Sequence, residues 1–447
     1  MLRGASIIAA LLACLIGRAD VFFDALEFPN AHVAISSESP AKMGPFERGV
    51  CLLRGISAEK NPTRAVENFA TASFSGDERA KYAMALCMLE GVGTAKNQKG
   101  ALELFRALER RDFAPASRAL AHCYEHGLGV EKNPTAAKAF YEKAFAYGSE
   151  RGAVELARFC LENSLTPVDS KGLAEAVKKL SKRGNPEADY ALALMYSDGV
   201  GVDKDVLESN RLLRIAAEKG VDSAQSLLGM NLLKGVGCMA DEKAAIKMLL
   251  AAAKAGNAKA QNNLGVCYKN GIAVEKNLPL AVEYFRRSAD SGYPVACSNL
   301  AICYLDGISG NYRLAVEYLK KAAREGNTDA EYRLGQCYAE GKGTEENFIE
   351  AAHWLSRAAA AGDVRAKASL GIMLVDGEKI ERDLPLGISY LSDAAEAGIP
   401  RAILHLGACY YTGIGLGKDV VKGRALIRKA AEAGDEEAKK VLVKISE

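Results

Sequence analysis

A glycine returns every 36 residues, or every multiple of 36, along most of this 447-residue chain. One step is shorter, the 34 residues between Gly307 and Gly341. The column consists of Gly55, Gly91, Gly127, Gly199, Gly235, Gly271, Gly307, Gly341, Gly377 and Gly413. Its one vacant place is taken by Asn163, and Asn is the residue next best able to adopt a left-handed backbone. A period of this length predicts a stack of repeats and not a few globular domains.

Other columns share the phase of that glycine and predict a helix that ends there. Every copy has Gly or Ala six residues before it, as at Ala85 and Gly265. Leu stands seven before and Ala eleven before in nine copies each, and Tyr three before in six copies. These offsets fall on one face of an α-helix. A left-handed glycine is a frequent helix C-terminus, so a first helix is expected to end at each one.

A second helix is predicted after each loop, because Asn or Asp stands just ahead of the next apolar segment. An oxygen of this side chain can accept hydrogen bonds from the first turn of a helix. The expected N-caps are Asn61, Asn97, Asn133, Asp169, Asp205, Asp241, Asn277, Asn311, Asn347, Asp383 and Asp419. The second helix then carries paired alanines and stops at another glycine, such as Gly256 or Gly292. Each repeat is therefore a helical hairpin, which must stack on its neighbours to bury its apolar face.

These residues resemble a known family. The pattern A-x3-LG-x2-Y-x2-G-x-G, a loop ending in Asp or Asn, and then A-x2-W/Y-hydrophobic-x3-AA-x2-G is similar to the Sel-one-like repeat (SLR), a relative of the tetratricopeptide repeat. Residues 330–363 carry the cleanest copy, and the resemblance covers about residues 44–447. The predicted fold is all-α: a right-handed α-solenoid (superhelix) of about eleven 36-residue helix-turn-helix repeats over 44–435, with a C-terminal capping helix over 436–447. Residues 20–43 form an N-terminal extension.

The resemblance implies a non-enzymatic scaffold or adaptor that binds proteins or peptides in a concave groove. Two alternatives come with it: a cell-wall or β-lactam hydrolase of the cysteine-rich type, and an adaptor of a membrane-associated protein quality-control complex. In the related tetratricopeptide fold, helix positions nine, five and two before the glycine face the groove. The candidate binding residues are Tyr82, Arg118, Tyr190, Asn262, Lys269, Ser298, Tyr332 and Tyr411. Aromatic and amide side chains suit an extended peptide.

Charge gives no reason to expect a nucleic-acid partner, because 58 Lys and Arg nearly balance 56 Asp and Glu. The glycine pairs invite a phosphate-loop reading, but a helix precedes them where a phosphate loop needs a strand. We therefore expect an unidentified protein or peptide as partner, and no small-molecule cofactor.

Cysteines are predicted to be core residues and not a disulfide framework. Seven share one column, four before the glycine: Cys51, Cys87, Cys123, Cys267, Cys303, Cys337 and Cys409. One cysteine per repeat places neighbours roughly 10 Å apart, beyond the roughly 7 Å between Cα atoms that a disulfide spans. Free cysteine often behaves as a small buried apolar residue. Cys238, in a loop, is the thiol expected to react.

Two short motifs invite catalytic or metal chemistry, and neither is predicted to perform it. His122 and His126 have the spacing of metal ligands, but Cys123 stands where a metalloprotease of the H-E-x-x-H type needs glutamate, so a satisfied surface pair is expected. Ser39–Lys42 and Ser57–Lys60 match the S-x-x-K of penicillin-recognising enzymes, without the K-T-G that accompanies it. No catalytic, metal-binding or cofactor-binding residue is therefore assigned.

The first residues predict export. Arg3 precedes an apolar run from Ala5 to Ile16 that is short for a membrane span, and small residues then offer cleavage after Ala19. Residues 1–19 are thus a signal peptide, or a lipoprotein signal in which Cys14 carries the lipid and gives the only membrane attachment. We expect a periplasmic, envelope-associated or secreted protein, with a cytoplasmic one as the alternative.

Overall fold

The computed structural model describes residues 43–56, 58–307 and 311–445, and within them it contains 23 helices and no strand. In chain order the helices are α1 (Pro45–Arg54), α2 (Pro62–Phe74), α3 (Glu78–Glu90), α4 (Gln98–Glu109), α5 (Ala114–His126), α6 (Pro134–Ala146), α7 (Glu150–Glu162), α8 (Ser170–Lys182), α9 (Pro186–Asp198), α10 (Val206–Glu218), α11 (Asp222–Lys234), α12 (Glu242–Lys254), α13 (Ala258–Asn270), α14 (Leu278–Asp290), α15 (Pro294–Leu305), α16 (Tyr312–Arg324), α17 (Thr328–Glu340), α18 (Phe348–Ala360), α19 (Val364–Asp376), α20 (Leu384–Glu396), α21 (Pro400–Thr412), α22 (Val420–Glu432) and α23 (Glu436–Lys444).

The helices form eleven successive pairs followed by α23, which confirms the all-α repeat fold. An odd-numbered helix is the first of its pair, and it packs on the second, as α5 does on α6. The second helix packs on the first helix of the next pair, as α6 does on α7. The chain divides into two compact units, residues 1–224 and 225–447. The predicted signal peptide, with Cys14, and residues 20–42 lie outside the described residues.

Capping side chains begin the second helices as the sequence predicts. Asn61 Oδ1 accepts a hydrogen bond from the backbone N–H of Arg64 at 3.0 Å, and Asp205 accepts from the N–H groups of Leu207 and Glu208. The same bond is made by every predicted N-cap: Asn97, Asn133, Asp169, Asp241, Asn277, Asn311, Asn347, Asp383 and Asp419. Each hairpin thus restarts its helix at a defined residue.

The loop glycines adopt the expected left-handed backbone, but the vacant place in their column does not. Gly91 ends α3 with φ of 76°, and its N–H bonds the Cys87 carbonyl at 2.8 Å. Asn163, predicted to be left-handed, has φ of −108°, and Ser164 is the left-handed residue instead, with φ of 55°. The physical reason is local, since the Asn163 side chain donates to the Phe159 carbonyl at 2.8 Å and carries the turn of α7 one residue further.

The small residues six before the loop glycine allow the two helices of a pair to approach closely. A Cβ atom added to Gly265 would lie 2.5 Å from the ring of Phe285, across the contact of α13 with α14. The same close approach occurs at Gly49 against Phe69. The side chain of the second helix therefore fills the space that the glycine leaves.

The cysteine column lies in the core, as predicted. All seven of its members are buried and none is in a disulfide. Burial raises the pKa of Cys87 to about 12, because the charged thiolate is poorly solvated there, and the pKa of Cys123 is raised to about 12 for the same reason. In the described part of the chain, no helix has the length and apolar character needed to span a bilayer.

Candidate functional site

A cleft of about 290 Å³ opens on successive first helices of the unit comprising residues 1–224. Four first helices contribute to it, namely α3, α5, α7 and α9, together with one residue of α6. Its lining consists of Tyr82, Arg118, Ala119, His122, Tyr141, Arg151, Val154, Glu155, Arg158 and Glu187. Tyr82 and Arg118 stand nine residues before their loop glycines, and Val154 stands nine before Asn163. The position that the sequence analysis assigned to the groove therefore does line a concave surface here.

Two tyrosines form the aromatic part of the cleft. Tyr82 is 2% exposed, and its ring lies 5.8 Å from that of Phe113 in an edge-on arrangement. Tyr141 packs on Phe159 with ring centroids 5.3 Å apart, and its hydroxyl donates to Glu125 Oε2 at 2.6 Å. These rings are held by core contacts and are 2% and 1% exposed, so they shape the cleft but contribute little accessible surface to it.

Charged side chains of opposite sign surround the tyrosines. Arg118 donates two hydrogen bonds to Glu155, Nε to Oε2 at 2.8 Å and Nη2 to Oε1 at 2.9 Å. Arg158 pairs with Glu162 at 3.0 Å and with Glu125 at 3.5 Å. Burial disfavours the charged form of Arg158, but these carboxylates outweigh burial and raise the pKa of its guanidinium. The cleft therefore contains guanidinium and carboxylate groups whose positions are fixed by these ion pairs.

Glu187 lies at the α9 side of this cleft. Burial raises the pKa of its carboxyl, and the nearby Arg158 opposes that shift. The arrangement gives the cleft a carboxylate beside guanidinium groups, which suits the mixed polarity of a peptide backbone and its side chains.

His122 differs from the satisfied surface pair expected for the two histidines. His126 is exposed, but His122 is half-buried and lines the cleft. Burial, together with the neighbouring His126, lowers the pKa of His122 to about 3, so its imidazole is neutral near pH 7. The two rings lie 4.2 Å apart, and Glu125 completes a group whose possible ligand atoms are all within 4.8 Å of one another. Sequence reasoning considered H-E-x-x-H and missed that His122–His126 reads H-x-x-E-H.

The remaining candidate of this unit, Tyr190, does not line the cleft. It is 4% exposed, and its hydroxyl donates to Glu162 Oε1 at 2.9 Å, from α9 to α7. The expectation that the candidate residues stand open in a groove is wrong for Tyr82, Arg118 and Tyr190. Successive first helices lie close enough for a side chain of one helix to contact the next, as Arg118 does with Glu155 and Tyr190 with Glu162, and this contact buries it.

In the unit comprising residues 225–447, the candidate residues also bond across repeats. Asn262 Oδ1 accepts from Asn299 Nδ2 at 2.8 Å, and the Ser298 hydroxyl donates to Asp329 at 3.1 Å. Asn262 and Ser298 are 5% and 4% exposed, so for them too the expected exposure is wrong.

The other three candidates of this unit keep partial exposure. The Tyr332 ring lies under the guanidinium of Arg365 at 4.4 Å, and Lys269 is 4.0 Å from Asp306. Tyr411 is half-buried. The binding role of all eight residues stays a prediction.

Eight of the ten lining residues were not among the candidates, and five of these eight lie in the repeat that departs furthest from the pattern, or beside it. Arg151, Val154, Glu155 and Arg158 belong to α7, and Glu187 begins α9. The signal was available, since Val154 and Arg158 stand nine and five residues before Asn163. For the hydrolase alternative, Ser39–Lys42 and Ser57 lie outside the described residues.

The model of the Sel1 repeat family matches ten segments of the chain: residues 41–76, 79–108, 114–146, 186–221, 222–257, 258–293, 294–327, 328–363, 364–399 and 400–435. The helix pair that it leaves unmatched is α7 with α8, the pair that supplies four of the ten cleft residues. Sequence reasoning found eleven copies, and the structure contains eleven helix pairs within the described residues.

The chain is similar to proteins of two solved structures. One is c5321, a protective antigen present in uropathogenic Escherichia coli strains and displaying an SLR fold. It is 25% identical, with a TM-score of 0.57 over 93% of this chain and 90% of that one. A Sel1 repeat protein from Oxalobacter formigenes is 33% identical over 48% of this chain and 88% of its own, with a TM-score of 0.44. No curated protein matches this sequence significantly.

Proposed function

The chain belongs to the Sel1 repeat family, and on that premise we propose that it is a scaffold that binds a protein or peptide segment in the cleft on α3, α5, α7 and α9. Sel1 repeat solenoids are typically protein-interaction scaffolds, and the family is generally non-enzymatic. The proposed role is therefore to bind a partner without catalysing a reaction.

One observation carries the proposal. The helix pair that the family model leaves unmatched is the pair whose first helix, α7, contributes most residues to the cleft. The residues of the family pattern are sufficient to stack one helix pair on the next, so a pair with a stacking role alone has no need of other residues. Arg151, Glu155 and Arg158 instead bring charge to a concave surface, in the one helix pair among the described residues that the family model leaves unmatched.

The chemistry of the cleft favours an extended segment that carries both an apolar side chain and polar groups. Tyr82, Tyr141 and Val154 form the apolar part of the lining, but they are only 2%, 1% and 6% exposed, so the surface accessible to a partner is mainly that of the charged side chains. Arg151 is 41% exposed and its Nε lies 3.7 Å from Glu155 Oε1, so an acidic group of the partner would approach an accessible guanidinium that is already paired with a carboxylate. Such a combination of an anchoring pocket and charged surroundings is characteristic of peptide recognition.

Selection from a displayed peptide library on the full chain, followed by direct measurement of affinity, tests the proposal. Arg151→Ala removes a cleft charge from an exposed side chain and is expected to weaken a selected peptide about tenfold, the effect of losing a charged contact of about 1.4 kcal/mol. Arg183→Ala is the matched control. Its side chain is 52% exposed, it lies outside the cleft, and it pairs with Glu150 at 2.7 Å. Equal affinities of the two variants would refute the cleft as the binding site.

We also propose that the protein is exported, because residues 1–19 have the pattern of a signal peptide. The intact mass of protein isolated from its native source distinguishes the routes. Cleavage after Ala19 gives a chain that begins at Asp20, whereas lipoprotein processing gives one that begins at an acylated Cys14. A chain that retains all its N-terminal residues in the cytoplasm would contradict export.

A further inference from the structure

We propose that His122, Glu125 and His126 form a binding site for a divalent transition metal ion such as Zn²⁺. This inference is independent of peptide binding. It rests on the convergence of two imidazoles and one carboxylate at the end of α5, beside the cleft.

The three side chains share one face of the last turn of α5. His122 and His126 are four residues apart, a spacing that places two side chains one above the other on a helix. Their ring centroids are 4.2 Å apart, and the carboxylate of Glu125 lies 3.9 Å from His126 Nε2. Ligand atoms around a tetrahedral Zn²⁺ are roughly 3.3 Å apart, and the candidate ligand atoms already lie within 4.8 Å of one another, so binding requires them to move closer by a short distance. Among the described residues, these are the one group of three potential ligands that meets this distance condition.

The surroundings of Glu125 leave one of its oxygens directed to the histidines. Its Oε2 accepts the Tyr141 hydroxyl at 2.6 Å, which orients the carboxylate. Its Oε1 is the atom near His126, and Arg158 Nη2 lies 3.5 Å from it. Arg158 also pairs with Glu162 at 3.0 Å, so it has another carboxylate when the metal takes this oxygen. Partners of this kind, outside the ligands, fix ligand orientation in metal sites.

Access and coordination number both suit an open site. The His126 side chain is 48% exposed, which gives an ion a path from solvent, while Glu125 is 14% exposed. Three protein ligands leave a fourth position for water, and His122 directs the site toward the cleft. Imidazole nitrogen with carboxylate oxygen is a donor set that suits Zn²⁺, Co²⁺ and Ni²⁺.

Calorimetric titration of Zn²⁺ into the metal-free full chain tests the site, in a Cys238→Ser background that removes the partly exposed loop thiol. We expect one equivalent to bind. His126→Ala is the main variant because its exposed side chain can be removed with little effect on folding, and affinity is expected to fall at least about tenfold. Glu125→Gln keeps the size of the side chain and is expected to weaken binding in the same direction.

His353→Ala is the matched control. It removes a histidine that contacts the Trp354 ring at 5.1 Å on α18, outside the cluster, and is expected to leave Zn²⁺ affinity unchanged. With Co²⁺ the background protein should give the visible absorption of a tetrahedral site without a thiolate charge-transfer band. The inference is overturned if the background protein takes up no Zn²⁺, if His126→Ala and Glu125→Gln bind it unchanged, or if Co²⁺ shows thiolate ligation.

Discussion

The guanidinium of Arg118 and the carboxylate of Glu155 form a bidentate pair between α5 and α7, with hydrogen bonds of 2.8 and 2.9 Å. The Arg118 side chain is 7% exposed and that of Glu155 is 25% exposed. The pair joins two successive first helices within the wall of the cleft. The pair therefore helps to pack one repeat on the next and also fixes the position of two cleft residues.

Arg118→Ala is expected to lower the free energy of unfolding by about 2–4 kcal/mol, because it leaves Glu155 partly buried without its main partner. Urea denaturation followed by circular dichroism measures this change. The control is Arg183→Ala, since Arg183 and Glu150 form an exposed ion pair between the two helices of one pair, α7 and α8, with side chains 52% and 55% exposed. Its expected effect is about 0–1 kcal/mol. Equal losses in both variants would contradict the difference in burial.

Gly265→Ala is expected to destabilise the protein by about 1–3 kcal/mol through overpacking. The new Cβ atom would lie 2.5 Å from the ring of Phe285, so the helices of that pair must separate or the ring must move. Phe285→Leu in the same chain makes room for the methyl group. Thermal denaturation should show the double variant less destabilised than the sum of the two single variants, and strict additivity would contradict this contact.

The core thiols are expected to resist alkylation in the folded protein. Burial raises the pKa of Cys87 and of Cys123 to about 12, which at pH 8 leaves on the order of one thiolate in ten thousand. Cys238 is partly exposed and should react first. Counting reactive thiols at pH 8 before and after Cys238→Ser should show a loss of one fast-reacting group. The buried thiols of the described residues should react only in urea, and rapid native labelling of Cys87 or Cys123 would refute the core assignment.

His405 on α21 is expected to make stability depend on pH. Burial lowers the pKa of its imidazole, and Nε2 is buried without a hydrogen-bond partner among the described residues. Its charged neighbours are Asp376 on α19, Arg401 on α21, and Asp435 and Glu437 at the start of α23. Below a pH of about 6.5 the unfolded chain binds a proton that the folded chain resists, so stability is complete above that pH and decreases as the pH falls.

His405→Asn tests this dependence, because Asn occupies the equivalent position at Asn263 and Asn299. Urea denaturation at a series of pH values between about 7.5 and 5 should show a smaller loss of stability in the variant than in the original protein. Parallel curves would mean that His405 titrates normally.

The repeat columns predicted the helices, their caps and the buried cysteines. Helix ends and caps depend on residues that are close in sequence, and the burial of the cysteines follows from their position on the apolar face of each first helix. The contacts of the glycine pairs with the preceding repeat were not predicted. The sequence excluded a phosphate loop at these pairs, and their second glycines, such as Gly93 and Gly201, have positive φ. A Cβ on Gly93 would also lie 2.2 Å from the Pro62 carbonyl oxygen, at the first turn of the preceding second helix. The second glycine therefore serves packing between repeats, which depends on a neighbour that the turn itself does not specify.

The candidate site was predicted only in part for a similar reason. Position in the repeat identified Tyr82 and Arg118 as facing the concave side, but it could not show that successive first helices bury such side chains against one another. Glu155 and Arg158 were missed because their repeat has Asn163 in place of the loop glycine from which the groove positions were counted. His122, Tyr141 and Arg158 line the same cleft because α5, α6 and α7 stack on one another, and this stacking is not visible in the repeat pattern.

Hydrogen–deuterium exchange of the full chain, with and without a selected peptide, tests most directly whether recognition takes place at the cleft. We expect slower exchange in α3, α5, α7 and α9, the four first helices that line the cleft, and unchanged exchange in residues 225–447. Protection that falls on other helices and leaves these four unchanged would contradict binding at the cleft.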